Sequence, residues 1–255
     1  MINYTVRNQV AEILFNHAPV NTITHAFLDT LLTMLEKAGA DGGVRAILIG
    51  SAIPGRFCAG LDLAGLLHGA HADGHEIVDK LYARLCDVQF GLPKPSIAAI
   101  SGAVRGGGIT ISISCDMIIA DSRSTFGYPE INIGLLPAIH YTNLPRIIGR
   151  YRAFDLLFTG RTFTAEEALH LGLISRVSKP GNVLEEAREV AQVLAGKSPA
   201  LMKTGKAAFN AAIDDGYRQG VASAVNLIGN VLAMDDSREG LTAFVEKRKP
   251  VWQAP

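Results

Sequence analysis

The chain has 255 residues, 24 basic and 24 acidic, so its formal net charge is zero; hydrophobic residues make up 48% and charged residues 19%. Against about 100–200 residues per domain, this is one large domain or two smaller ones with enough chain to bury a core, and the composition excludes an intrinsically disordered protein. Neutrality removes the simplest case for a nucleic-acid or anionic-membrane partner, and no apolar run approaches the roughly 18–20 residues of a membrane span.

In chain order, Met1 to Asn8 lacks the basic-then-apolar layout of a signal peptide. Val10 to Phe15 predicts a strand, broken by Asn16-His17-Ala18-Pro19. Apolar residues at 27, 28, 31, 32 and 35 have the period of a helix. Asp41-Gly42-Gly43 is a turn, and Val44 to Ile49 is an apolar run of the buried-strand type. Ser51 to Gly60 is a Gly- and Pro-bearing loop, 65 to 75 reads as loop, and 76 to 90 as helix. His68, His71 and His75 have the spacing of helical metal ligands, but their Gly/Ala/Asp surroundings favour a solvated loop, and no metal site is expected. Ser96 to Ile100 is another buried strand. Ile109 to Cys115 alternates apolar with small polar residues, which by periodicity alone predicts a strand. Met117 to Ala120 is strand-like. Thr164-Ala165-Glu166-Glu167 is a capping box, with Thr164 as N-cap and Glu167 as reciprocal partner, opening a helix that ends near Gly172. Ser198-Pro199 opens a further helix. Residues 1–195 thus read as an α/β body of alternating strands and helices, and residues 196–255 as a helical tail.

Cys58, Cys86 and Cys115 are odd in number, widely spaced and without a metal-ligand pattern, which fits a reducing cytoplasm. Phe57-Cys58-Ala59-Gly60-Leu61-Asp62-Leu63 follows one strand, and Gly106-Gly107-Gly108 follows another. Consecutive glycines let backbone approach a ligand and present bare N–H groups; two such donors converging from separate loops make an oxyanion hole. Tight packing turns explain the glycines equally well. The run fits neither the dinucleotide fingerprint nor the phosphate loop. Ser112 and Ser114 lie in no nucleophile elbow, which counts against a serine hydrolase.

Several segments carry a resemblance in order and at matching spacing: Phe57 to Leu63, Pro95 to Gly108, Cys115-Asp116, Phe126-Gly127-Tyr128-Pro129-Glu130, Gly134-Leu135-Leu136-Pro137, and the ending Ser237 to Pro250. From about residue 10 to 251 the chain resembles the crotonase (enoyl-CoA hydratase/isomerase) superfamily. The resemblance implies an α/β spiral of ββα units with two roughly perpendicular sheets and a C-terminal helical trimerisation region, in homotrimers usually stacked as hexamers. It implies an acyl-CoA substrate and no further cofactor. By position, the backbone N–H groups of Cys58 and Gly107 are the oxyanion donors. The segment after Gly108 is helical in this family, against the strand that periodicity predicts. Ala18, Val20, Ala59, Asp62 and Leu63 fall on the CoA-facing loops, where Asp62 has the alternative of capping its own loop. A reactive thiol at Cys58 would need a lowered pKa.

The chain also departs from the family. Hydratases of this kind carry two catalytic glutamates; one position is Thr110 here, and Glu130 matches the other. A Thr hydroxyl orients water but is a very poor acid or base. A single carboxylate suffices for a 1,3-proton shift, so the expectation is an enoyl-CoA isomerase moving a double bond from Δ3 to Δ2, with Glu130 as the acid–base. An enoyl-CoA hydratase lacking one Glu and a non-catalytic acyl-CoA-binding protein are the alternatives. Ala138 stands where other isomerases carry an acid. His140 is either a second acid–base or a buried structural residue; Tyr128 and Tyr141 are candidates to line the acyl pocket. Arg105 binds a carboxylate on the acyl group or forms an interface salt bridge, the latter being the better expectation.

Overall fold

The computed structural model describes residues 1–68, 71–213 and 216–251; the side chains of 71–73, 217, 218 and 223 lie outside the description. Three successive passes of the chain build the body. Each contributes one strand to a large sheet and the next strand to a small one. In the large sheet these are β4 (Ala46–Ser51), β7 (Ser96–Ile100) and β9 (Met117–Asp121); in the small sheet, β5 (Arg56–Cys58), β8 (Ala103–Arg105) and β10 (Thr125–Gly127), all numbered in chain order. Within each set neighbouring strands are parallel, as a repeating crossover demands. At one edge of the large sheet, β2 (Val10–Phe15) pairs parallel with β4 and antiparallel with β1 (Ile2–Arg7); β12 (Arg176–Ser178) closes the other. β11 (Thr162–Thr164) completes the small sheet, and β3 (Thr22–Ile23) pairs with β6 (Gly60–Leu61).

The large sheet is buried on both faces, and its side chains sort by the two-residue period of a strand. Val10, Ala46, Leu48, Ile97, Ala99 and Ile119 pack under helix α9 (Val183–Ala195). Ala11, Ile13, Ile47, Ile49, Ala98 and Ile100 face the main core with Phe27, Leu28, Leu31 and Leu35 of α1 (His25–Ala40). The corners between the sheets stack on one another. Ala103 N–H donates to the Gly55 carbonyl (3.2 Å), Gly102 N–H to Ser124 Oγ (3.0 Å), and Thr125 N–H to the Gly102 carbonyl (3.3 Å). Gly102 has φ +83° and lies so close to Gly55 that a Cβ would overlap that residue's carbonyl.

The structure corrects three readings of the sequence. Residues Gly107–Ile113 form helix α5, not a strand. Ile109, Thr110, Ile111 and Ser112 are all buried, so the alternation records side-chain size rather than inside and outside. Ser112 Oγ donates back to the Gly108 carbonyl (2.9 Å), which satisfies a buried hydroxyl within a helix. The stretch read as loop carries helices α2 (Leu63–His68) and α3 (His71–Asp79), with Leu63, Leu66 and Leu67 packed against the apolar tail; residues 69 and 70 lie outside the description. His68 and His75 therefore sit on two different helices, and no metal-ligating cluster occurs among the described residues. The capping box at Thr164 is half made. Thr164 Oγ1 accepts from the Glu167 N–H (3.1 Å), but the Glu167 carboxylate is drawn instead to Arg161 (2.6 and 3.2 Å). Its helix, Ala165–His170, ends before Gly172 as expected.

The tail comprises α10 (Pro199–Ile213), α11 (Tyr217–Leu232) and α12 (Asp235–Val245). α11 packs on α6 (Ala138–Ile148) and α3, and α12 on α2. Arg248 braces α12 through a two-pronged pair with Glu239 (2.6 and 2.9 Å). No described helix is long and apolar enough to cross a membrane. The stacked corners carry a test: Gly102→Ala should cost roughly 3 kcal/mol of unfolding free energy or more, since it adds strain at positive φ to a steric overlap. Gly42→Ala, with nothing within 4 Å of its Cβ position, should stay within about 0.5 kcal/mol of the parent. Urea midpoints of the two variants measure the difference.

Candidate active site

Strand β8 runs out at Arg105 into Gly106, whose backbone (φ +47°, ψ −115°) turns the chain into α5. Gly106 N–H is tied to the Gly127 carbonyl (3.2 Å). Its own carbonyl accepts from the N–H groups of Ile109 (2.8 Å) and Thr110 (3.2 Å). The N–H groups of Gly107 and Gly108 therefore precede the helical ladder, at the positive end of the helix dipole. This first turn is pressed against the end of β5. A Cβ on Gly108 would stand 2.8 Å from both the Cβ and the carbonyl oxygen of Cys58, and one on Gly60 would stand 3.2 Å from the Arg105 carbonyl. The structure thus brings together the backbone at Cys58 and Gly107, the two positions read as oxyanion donors. The Cys58 thiol lies beside Gly108, 3.2 Å from the position of a Cβ there. It is fully buried, donates to the Asn21 carbonyl (3.0 Å), and burial pushes its pKa up to about 12, which removes the reactive-thiol reading.

A cavity of about 250 Å³ opens beside this contact. Ala59, Gly60, Leu61 and Leu63 form one wall, Gly106, Gly107 and Glu130 another, and Leu66, Leu81, Tyr82 and Leu136 add hydrocarbon. Ile228 and Leu232 of α11, Phe244 of α12 and Arg105 also border it. Glu130 stands in a 3₁₀ turn, Pro129–Ile133, started by Pro129 and stopped by Gly134 in the left-handed conformation. Its Oε1 lies over Gly106, where a Cβ would come within 2.6 Å of it. Its Oε2 is buried without a hydrogen-bond partner among the described residues. Burial of the carboxyl raises its pKa to about 7. The charge of the same carboxylate helps hold the Tyr82, Tyr128 and Tyr141 hydroxyls above their ordinary range, behind the larger effect of burial.

Thr110, His140 and Tyr128, read as candidates for the pocket or for acid–base work, do not border the cavity. They form a buried layer behind its wall. Thr110 Oγ1 and His140 Nε2 share a 3.3 Å hydrogen bond, and the His140 ring lies 4.5 Å from that of Tyr128, which also stacks on Phe163. Burial pushes the His140 pKa down to about 3, so its imidazole is neutral at physiological pH and supplies no proton there. Tyr141, half-buried, stacks on Phe158 instead of entering the pocket. The Arg105 guanidinium folds across β10, donating to the carbonyls of Val104 (2.8 Å) and Thr125 (2.6 Å) and to Thr125 Oγ1 (3.0 Å). Arg105 also borders the cavity.

Of the residues placed on CoA-facing loops, Ala59 and Leu63 border the cavity. Ala59 N–H donates to the Val20 carbonyl (3.1 Å), which holds the two loops together; Ala18 is exposed beside them. The Asp62 carboxylate sits over the first turn of α2, 2.9 Å from the position of a Cβ on Gly65, as a cap would. Tyr82 and the tail residues Ile228, Leu232 and Phe244 escaped sequence reading. Tyr82 lies in an ordinary helical pattern, and the tail's apolar residues carry the same signal whether they meet a partner or a pocket.

The model of the family described as enoyl-CoA hydratase/isomerase matches residues 5–255. The chain belongs to this family. It is 31% identical over 234 residues to a short-chain-enoyl-CoA hydratase of Clostridium acetobutylicum, covering 90% of this chain and 87% of the relative. The crystal structure of an enoyl-CoA hydratase from Mycobacterium avium subsp. paratuberculosis superposes with a TM-score of 0.88 at 25% identity, over 99% of this chain and 98% of that one. An enoyl-CoA hydratase/isomerase from Xanthobacter autotrophicus gives 0.87 at 26% identity, over 97% and 96%. Family membership makes this an acyl-CoA enzyme of the hydratase/isomerase type and accounts for the spiral of paired strands.

The raised Glu130 pKa predicts a pH signature in stability. The folded state holds the carboxyl proton up to about pH 7, whereas the ordinary value is 4.5. Between those values the native protein binds more protons than the unfolded chain, so stability falls as pH rises through the window. Glu130→Gln should flatten that fall and leave the variant more stable than the parent at about pH 8, as read from urea midpoints at about pH 5 and about pH 8.

Proposed function

We propose that the protein is an enoyl-CoA isomerase that shifts a double bond from Δ3 to Δ2, with Glu130 as its only acid–base. The observation that carries this reading is that Glu130 is the one carboxylate bordering the apolar cavity among the described residues. The thioester oxygen lies against the N–H groups of Cys58 and Gly107, with the CoA moiety along the loops of Ala18, Val20, Ala59, Asp62 and Leu63. Glu130 takes a proton from C2 and the C–H electron pair passes into the thioester, forming an enolate that the two N–H groups stabilise. The protonated Glu130 then delivers a proton to C4, and the double bond comes to rest at Δ2. A pKa near 7 suits both halves of the cycle. CoA enters as part of the substrate; the reaction calls for no further cofactor.

Hydration is the second reading, favoured by the hydratase names of the relatives. It would need a second group to hold and split water, and Thr110, the residue at that position, faces His140 behind the pocket wall.

The assembly we propose is a homotrimer or a hexamer of two trimers. On α10 Leu201, Phe209 and Ile213 are exposed, while the buried Lys206 tethers the helix through Asp116 (2.7 Å) and the Lys94 carbonyl (3.1 Å). Tyr151, Phe154 and Phe158 form an exposed aromatic stripe on the helix Arg150–Thr159. Such surface exceeds what a monomer leaves in water, and light scattering at micromolar concentration should give a trimer or a hexamer, not a 27 kDa species.

Glu130→Gln should cut isomerisation of a trans-3-enoyl-CoA by about 10²–10⁴-fold while binding of the CoA thioester survives. Thr110→Ala should cost far less. If crotonyl-CoA hydration is instead the main activity and Thr110→Ala abolishes it, the hydratase reading replaces this one. If Glu130→Gln leaves isomerisation intact, Glu130 is not its acid–base, and if the parent protein shows neither activity, the protein is a non-catalytic binder.

A further inference from the structure

Eight side-chain polar atoms are buried without a hydrogen-bond partner among the described residues, and five of them belong to Tyr128, Glu130, His140 and Asn143. They are Tyr128 Oη, Glu130 Oε2, His140 Nδ1, and both Oδ1 and Nδ2 of Asn143. This is one patch. The rings of Tyr128 and His140 are 4.5 Å apart, and Asn143 follows His140 by one turn of α6, its side chain close enough to favour the protonated imidazole. A buried donor or acceptor left unpaired costs its full desolvation penalty, and proteins meet that cost with internal water making about three hydrogen bonds. The patch offers donors and acceptors in the number such water requires. It also has an outlet. Asn143 borders a second cavity of about 360 Å³ between α6 and α10, lined by the polar residues Asp116, Arg146 and Asn210 and by Phe209 and Ile213 of the face assigned above to the assembly.

We propose that Tyr128, His140 and Asn143 hold a file of internal water that joins this second cavity to Glu130 and exchanges the carboxyl proton with solvent while the acyl chain fills the front pocket. The proposal rests on Glu130 being the base assigned above. After Glu130 has taken the C2 proton, its O–H bond exchanges that proton for one from the file, and the displaced proton leaves as water through the second cavity. The enolate's electron pair then forms the new C4–H bond with a proton of solvent origin. Without the file, the walls of the front pocket would confine the original proton to Glu130 and return it to the same substrate molecule.

Isomerisation of a trans-3-enoyl-CoA in D₂O tests this, with deuterium at C4 of the product measured by mass spectrometry and NMR. The wild-type product should carry solvent deuterium at C4 in most turnovers. Asn143→Leu and Tyr128→Phe, which are close in size to the residues they replace, should lower that fraction several-fold. The quantity read is a label ratio per turnover, which a loss of folded protein does not alter. Unchanged incorporation in both variants, or a wild-type product that keeps the C2 proton, overturns the file. A high-resolution crystal structure of the wild type gives an independent answer. Ordered water bridging His140 Nδ1, Asn143 and Tyr128 Oη supports the file, and a dry patch overturns it. If no isomerisation is found, the isomerase reading fails, and the crystallographic result still decides whether water occupies the patch.

Discussion

Everything at the active site depends on two segments that can meet because one of them carries no side chain. The first turn of α5 lies on the end of β5, and a methyl group at Gly108 or Gly106 would collide with Cys58 or with the Glu130 carboxylate. Glycine at these positions is therefore a steric requirement, not a concession to flexibility. The contact sets the separation of the two backbone segments and seats the Glu130 carboxylate directly over the turn. The stacked corners of the spiral, with Gly102 against Gly55, hold the strands that deliver both segments.

Burial then acts in opposite directions on two ionisable groups near this contact. It raises the carboxyl of Glu130 to about 7 and depresses the imidazole of His140 to about 3. Both shifts follow from one cause, the penalty on charge in a medium that solvates it poorly. Arg105, which borders the same cavity, keeps its guanidinium on the carbonyls of Val104 and Thr125. His140 contributes shape and hydrogen bonding to the layer behind the pocket.

The sequence makes the body of the fold legible because buried strands write a dense apolar signal. Val10 to Phe15, Ser96 to Ile100 and Met117 to Ala120 each coincide with an observed strand or lie within one. The Gly106 run and the Pro129-Glu130 pair were readable as site segments by their order along the chain. What periodicity misread was α5, where buried Thr and Ser imitate the outer face of a strand. The helical stretch within residues 65–75 was read as loop because its glycines and aspartate disfavour helix locally, and packing of Leu63, Leu66 and Leu67 outweighs them. Side-chain direction was the least legible level of all. Nothing in the letters tells that Thr110 turns to His140, or that Arg105 folds across β10 and not toward a carboxylate.

The tail has a further consequence, which concerns the order in which the chain is made. Ile228, Leu232 and Phe244 wall the same cavity whose floor is laid down by residues 59 to 136. On the ribosome, the spiral and its Gly-on-Cys58 contact emerge well before the helices that close the pocket. A chain that has folded its spiral but not yet placed α11 and α12 therefore leaves one apolar wall of the cavity open.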